Sequence, residues 1–113
     1  DNWVSQIPNS ENVAGKLSLK EELLKIAGLE IMISMDSANM HLASLVGTRC
    51  ISVWGATHPY AGFLGYGQHE DDVIQVKDLT CRPCSVFGDK KCYRGDWACL
   101  HEINIQQVID KIE

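Results

Sequence analysis

Residues 30–54, EIMISMDSANMHLASLVGTRCISVW, leave this chain few folds to choose from. Two apolar runs of strand length, 30–35 and 50–54, flank a segment of helical character, 37–46, that stops at Gly47. Strand, helix and strand in so short a span form a βαβ unit, which is parallel and right-handed in nearly every case. The first run is almost continuously apolar, the pattern of a strand covered on both faces. DVIQV at 72–76 suits a third strand of the same sheet. The expected class is α/β with a parallel sheet and flanking helices.

The rest of the chain fits around this unit. Residues 1–11 read as an irregular lead-in, and 12–16 as a short strand ending at Gly15. Ser18 and Glu21 form a capping box, in which each side chain satisfies a backbone N–H that a helix start leaves unbonded. Behind it Leu19, Leu23, Ile26 and Ala27 fall on one helical face, and Gly28 is a suitable stop. In the 37–46 helix Leu42, Leu45 and Val46 are expected inward. The βα core thus spans 12–80, followed by an irregular cysteine-rich loop at 81–102. A closing helix at 103–113 is capped by Asn104, with Ile105, Val108, Ile109 and Ile112 inward.

A net charge of −5 with ten scattered Lys and Arg excludes the clustered basic face of a nucleic-acid binder. No apolar run has the length of a membrane span, and the N-terminal residues do not resemble a signal peptide. The first residue is not Met, which suggests a piece of a longer protein.

In a parallel α/β sheet, ligands bind beyond the carboxyl ends of the strands. Two loops must meet at that edge, Asp36–Asn39 and Gly55–Pro59. The first opens a helix, whose unbonded N–H groups and positive dipole end attract anions. Ser37 adds a hydroxyl, and Ala38 is small enough for a phosphate to approach the backbone. A diphosphate on the amides of Ser37, Ala38 and Asn39, with Asp36 on a neighbouring hydroxylated group, fits this arrangement. On spacing alone the plainer alternative stands beside it: Asp36 as a helix cap and His41 as a hydrogen-bonded core histidine.

Five cysteines are many for 113 residues. Cys81, Cys84, Cys92 and Cys99 cluster near the end, and Cys50 sits in a strand as a small core residue. With no sign of secretion, free thiols with an occasional disulfide are the first reading, and no metal is assigned. A structural zinc held by Cys81, Cys84, Cys92 and Cys99 is the alternative, since two close pairs joined by a loop have the general form of such sites. A small zinc- or redox-cysteine module is the corresponding alternative function.

MDSANMHLASLVGT followed by ISVWGATHPYAGF, continued by CRPCSVFGDKKCYRGDWACLHEI, resembles the C-terminal domain of glycosyltransferase family 9, the lipopolysaccharide heptosyltransferases. The resemblance extends over about residues 12–112. It implies a GT-B architecture of two Rossmann-like domains, of which this chain is the later part of the second, donor-binding one. It further implies an inverting transfer of heptose from ADP-heptose to the lipopolysaccharide inner core, on the cytoplasmic side and in peripheral contact with the inner membrane. A transferase of the same fold using another nucleotide sugar is the alternative.

By the same resemblance, Ser37, Ala38 and Asn39, with Met40, hold the donor diphosphate and Asp36 contacts the sugar. His41 braces the phosphate loop or approaches the sugar, Leu17 lies against the nucleotide base, and Thr57 and His58 border the cleft, with a loop-closing hydrogen bond as the equal alternative for Thr57. Ala38 and Asn39 depart from the family's usual Gly and Pro. The catalytic base is expected on the N-terminal domain, so residues 1–113 alone are expected to be inactive, and no cofactor is required.

Overall fold

The computed structural model describes residues 3–61 and 63–113. Three strands, β1 (Ile31–Met35), β2 (Arg49–Trp54) and β3 (Val73–Gln75), form one parallel sheet in the order β1-β2-β3. Helix α1 (Leu19–Ala27) precedes β1, and α2 (Ala38–Leu45) crosses from β1 to β2. The α/β class and the parallel crossover expected from the sequence are thus present.

Local chemistry fixes the element ends. Ser18 and Glu21 make the reciprocal capping box at α1: the Glu21 N–H donates to Ser18 Oγ at 3.3 Å, and the Ser18 N–H to Glu21 Oε2 at 2.7 Å. At the other end, Thr48 Oγ1 donates to the Ile26 carbonyl at 2.8 Å, joining the helix to the entry of β2. Gly47 takes φ +73, the left-handed conformation that lets the chain leave α2 at low steric cost. Since β3 pairs only from Ser52 onward, the earlier Cys50 N–H instead donates to Gln68 Oε1 at 2.8 Å. Arg49 grips the Asp72 carboxylate with two bonds of 2.8 and 2.7 Å and reaches the Lys111 carbonyl at 3.0 Å. That links β2, the turn before β3, and α4 (Ile105–Ile112).

The core gathers Ile26, Met40, Ala43, Cys50 and Trp54 between sheet and helices. Trp54 is fully buried, and its indole N–H donates to Ser52 Oγ at 2.9 Å. Cys50 is a core residue, as expected.

Several expectations fail, for a shared reason. Residues 12–16 form a turn, with the Lys16 N–H on the Val13 carbonyl and Gly15 at φ +70. Ile33 and Met35 of β1 stand half exposed, so that strand is covered on one face only. In α2 Leu42 and Val46 pack half-buried against the core as expected and Met40 and Ala43 are fully buried, whereas Leu45 is 75% exposed. Leu19 and Ala27 of α1 and Ile105, Ile109 and Ile112 of α4 are exposed too, and Val108 is half-buried. Periodicity marks an apolar stripe, but only the neighbouring element decides which part of it is covered. The cysteine-rich segment also contains a short helix, α3 (Ala98–His101), that its composition did not reveal.

Candidate functional site

The β1–β2 ladder runs one step beyond the strand, because the Asp36 N–H donates to the Val53 carbonyl at 3.1 Å. This pins Asp36 at the carboxyl edge of the sheet. Its side chain accepts from Thr57 Oγ1 at 2.7 Å, and Thr57 is buried. The two loops expected to meet therefore do meet, through this pair. Asp36 does not cap α2: the cap position belongs to Ser37.

Ser37 makes no side-chain cap either. Its hydroxyl lies 3.2 Å from Ser34 Oγ. The first turn of α2 is thus left without a capping side chain, and Ser37, Ala38 and Asn39 are exposed. Met40 differs. Its N–H already donates to the Ser37 carbonyl at 3.2 Å, and its side chain is in the core. Ala38 is unstrained, since the positive-φ residues other than glycine, among those described, are Asn9 and Trp97. Replacing Gly by Ala therefore has no conformational cost here.

His41 is exposed, so it is not a core histidine. Leu17 immediately precedes the capped start of α1 and is half-buried. Thr57 and His58, adjacent in sequence, turn apart. Thr57 joins Asp36, whereas His58 lines a separate hollow of about 390 Å³ beside Tyr60, Glu70 and Gln75. The imidazole Nδ1 of His58 accepts the Tyr60 N–H at 3.0 Å. Burial, and then the charge of Arg82, pull its pKa below the usual histidine value.

A cavity of about 240 Å³ opens beside the pair, bounded by Met35, Asp36, Gly55, Thr57, Phe87 and Trp97. Phe87 and Trp97 come from the cysteine-rich segment and were not read as site residues. Aromatics in a loop rich in Gly and Asp were the available signal, and a weak one.

Arg82 was missed as well. Its guanidinium donates to the carbonyls of Gly55 (2.6 Å), Val76 (2.6 Å) and Thr57 (2.8 Å) and to Gln75 Oε1 (3.0 Å). The Cys84 N–H takes the intervening Ala56 carbonyl at 3.1 Å. Every carbonyl of the 55–57 loop is thus held by the cysteine-rich segment, and one side chain ties the ends of β2 and β3 together.

All five cysteines are free thiols. Burial, followed by the nearby Cys84 and Cys92, pushes the Cys99 thiol up, with Arg82 opposing. Backbone N–H groups, that of Trp97 foremost, hold Cys92 below its ordinary value. Among the described residues, no three His, Cys, Asp or Glu side chains are gathered at metal-ligand spacing, and no helix is long and apolar enough to cross a membrane.

The sequence model of glycosyltransferase family 9 (heptosyltransferase) matches residues 4–106. Lipooligosaccharide heptosyltransferase 2 of Campylobacter jejuni subsp. jejuni serotype O:2 is 24% identical over 106 residues, covering 89% of this chain and 30% of that protein. Its counterpart from serotype O:6 is 23% identical over 108 residues, covering 91% and 31%. The chain thus spans under a third of the length of these relatives. No solved structure matches it significantly.

Proposed function

The chain belongs to glycosyltransferase family 9, and from that premise we propose that it forms the donor-binding part of a GT-B enzyme that transfers heptose with inversion from ADP-heptose to the lipopolysaccharide inner core. The observation that carries this reading is the uncapped, exposed first turn of α2, which follows directly on Asp36, a residue paired with Thr57 and lining the 240 Å³ cavity with it. The N–H groups of Ala38 and Asn39, with the positive end of the helix, would receive the donor diphosphate. As the sugar–phosphate bond breaks, the same groups would stabilise the charge that builds on the leaving diphosphate. Donors already fixed in place need no reorganisation at that moment, and no catalytic metal is invoked.

Asp36 has a second carboxylate oxygen beyond the one that accepts from Thr57, and this would hold a hydroxyl of the donor sugar. Leu17, just before the capped start of α1, would meet the base. The acceptor's catalytic base is assigned to an N-terminal domain, so residues 1–113 alone would bind donor weakly and transfer nothing. In this reading the enzyme works at the cytoplasmic face of the inner membrane, where donor and lipid-linked acceptor meet.

Donor titration of the full-length enzyme, with circular dichroism to confirm folding, tests the phosphate turn. Ser37→Thr should bind ADP-heptose normally, since the hydroxyl is kept. Asn39→Pro should be mild, because proline is well accommodated in the first turn of a helix. Ala38→Val should weaken binding severely by crowding the turn. Parental affinity in a folded Ala38→Val enzyme would mean that no phosphate sits on α2.

A further inference from the structure

Phe87 is 75% exposed and Trp97 44%, yet both line the 240 Å³ cavity that Asp36 and Thr57 border. Met35 and Leu100, also exposed, add to this apolar lining. Aromatic surface left open inside a concave site calls for an occupant. The geometry points to Phe87 and Trp97 as the residues that recognise the sugar of the nucleotide-sugar donor, by stacking on the C–H face of its ring. The inference rests on the donor-binding reading above and extends it to two residues of the cysteine-rich segment.

Local structure fixes both aromatics at the site. Phe87 stands in a tight turn: the Gly88 N–H donates to the buried Ser85 Oγ at 2.6 Å, and Gly88 takes φ +71. A Cβ on Gly88 would stand 3.4 Å from Thr57 Cγ2, so the turn rests against the residue that holds Asp36. The Phe87 ring also meets Phe63, with centroids 5.8 Å apart. Trp97 has φ +52, a left-handed conformation that favours glycine, at the cap position of α3. That short helix sits on the end of β2, where a Cβ on Gly55 would stand 2.6 Å from Leu100 Cδ2. Backbone strain of the kind Trp97 carries persists where its surroundings enforce it, and it clusters at ligand sites.

The chemistry of the lining selects the ligand. Among the described residues no Lys, Arg or His lines the cavity. Aromatic faces carry partial negative charge, and Asp36 adds a carboxylate, so a phosphate is disfavoured there. A sugar ring matches. Its C–H groups, slightly positive, rest on an aromatic face, while a hydroxyl at the rim donates to the Asp36 oxygen that Thr57 leaves free. Size agrees, because 240 Å³ is below the roughly 300–1,000 Å³ of a site for a whole small-molecule ligand, so the cavity takes one ring of the donor. Position agrees as well. Ala38, whose N–H the donor reading assigns to the diphosphate, follows Asp36 by two residues, so their Cα atoms are within about 7 Å. A ring joined directly to the diphosphate can therefore reach the cavity, whereas the base is a further ribose away.

The test compares binding of ADP-heptose and of ADP to the full-length enzyme and to its Phe87→Ala and Trp97→Gly variants, by calorimetry, with circular dichroism to confirm folding. Glycine is used at position 97 because it suits a φ of +52. ADP-heptose affinity should fall on the order of fivefold to tenfold in each variant, while ADP affinity stays at the parent's value. Trp97→Phe, which keeps a ring, should recover most of the loss. Phe87 is so exposed that Phe87→Ala should fold, and it decides the matter if Trp97→Gly does not fold. Parental ADP-heptose affinity in folded Phe87→Ala would overturn the proposal and leave the diphosphate reading standing. Equal losses for ADP and ADP-heptose would overturn it too, since the aromatics would then hold the nucleoside. A parent enzyme that binds neither ligand would refute the donor-binding reading itself, and this inference with it.

Discussion

Arg82 is where one substitution should act on fold and site together. Replacing it with Met keeps most of the aliphatic stem and removes four donated bonds, of 2.6, 2.6, 2.8 and 3.0 Å. A hydrogen bond to a charged group contributes about 1.5–3 kcal/mol net, which would give a gross loss near 8 kcal/mol for four. Two effects reduce it. Val76 is only half-buried, so water can replace the donor at its carbonyl, although Gly55 and Thr57 are buried. Removing the guanidinium also ends its own desolvation cost. A net loss of about 2–4 kcal/mol remains.

Arg82→Lys should recover no more than about half of that, because an ammonium cannot reproduce the planar fork that spans four acceptors. Chemical denaturation of the full-length enzyme reads the stability. Donor titration of the folded fraction reads the site, where Thr57 has lost the anchor of its carbonyl and its grip on Asp36 should loosen. An Arg82→Met protein within 0.5 kcal/mol of the parent, or an Arg82→Lys protein equal to it, would refute the view that this guanidinium ties the two strand ends together.

Thr57→Val, nearly isosteric, removes the 2.7 Å bond to Asp36; donor affinity should fall several-fold while stability drops by about 1 kcal/mol, and unchanged affinity would detach this pair from the donor site. Asp36→Ala should lower turnover sharply in the full-length enzyme with an intact circular dichroism spectrum, whereas unchanged activity per folded molecule would leave it a purely structural residue. Asp72 is held below the usual carboxylate range, chiefly by its hydrogen bonds from Arg49. Its stabilising contribution is therefore complete above the unfolded-state value near pH 4 and fades as pH falls through the lower folded-state value. Acid titrations should show the parent losing more stability below about pH 4 than Asp72→Asn, which should start about 1–3 kcal/mol lower at pH 7; parallel curves would refute the linkage.

The sequence by itself determined the three strands of the sheet, the helices α1, α2 and α4, and their order. The capping box at Ser18 and Glu21 and the Asn104 cap are local, set by side chains reaching backbone groups three residues away or fewer. The crossover from β1 to β2 is short, and chain chirality leaves it one hand. These facts also bring the Asp36 and Gly55 loops to one edge, so the neighbourhood of the candidate site was legible. What tertiary structure decided is which surfaces meet. Leu45 and Ile105 carry the same apolar signal as Ile26 and Met40, yet only the latter pair found a partner element. Asp36 before a helix reads as a cap in any sequence, and only the 2.7 Å approach of Thr57, from 21 positions away, commits its carboxylate elsewhere. Arg82 carries no local signature, because its four acceptors belong to two strand ends that the fold brings within reach of one fork. Short-range hydrogen bonding and periodicity are written along the chain. Convergence of distant groups on one side chain is a property of packing, and appears only when the chain is folded.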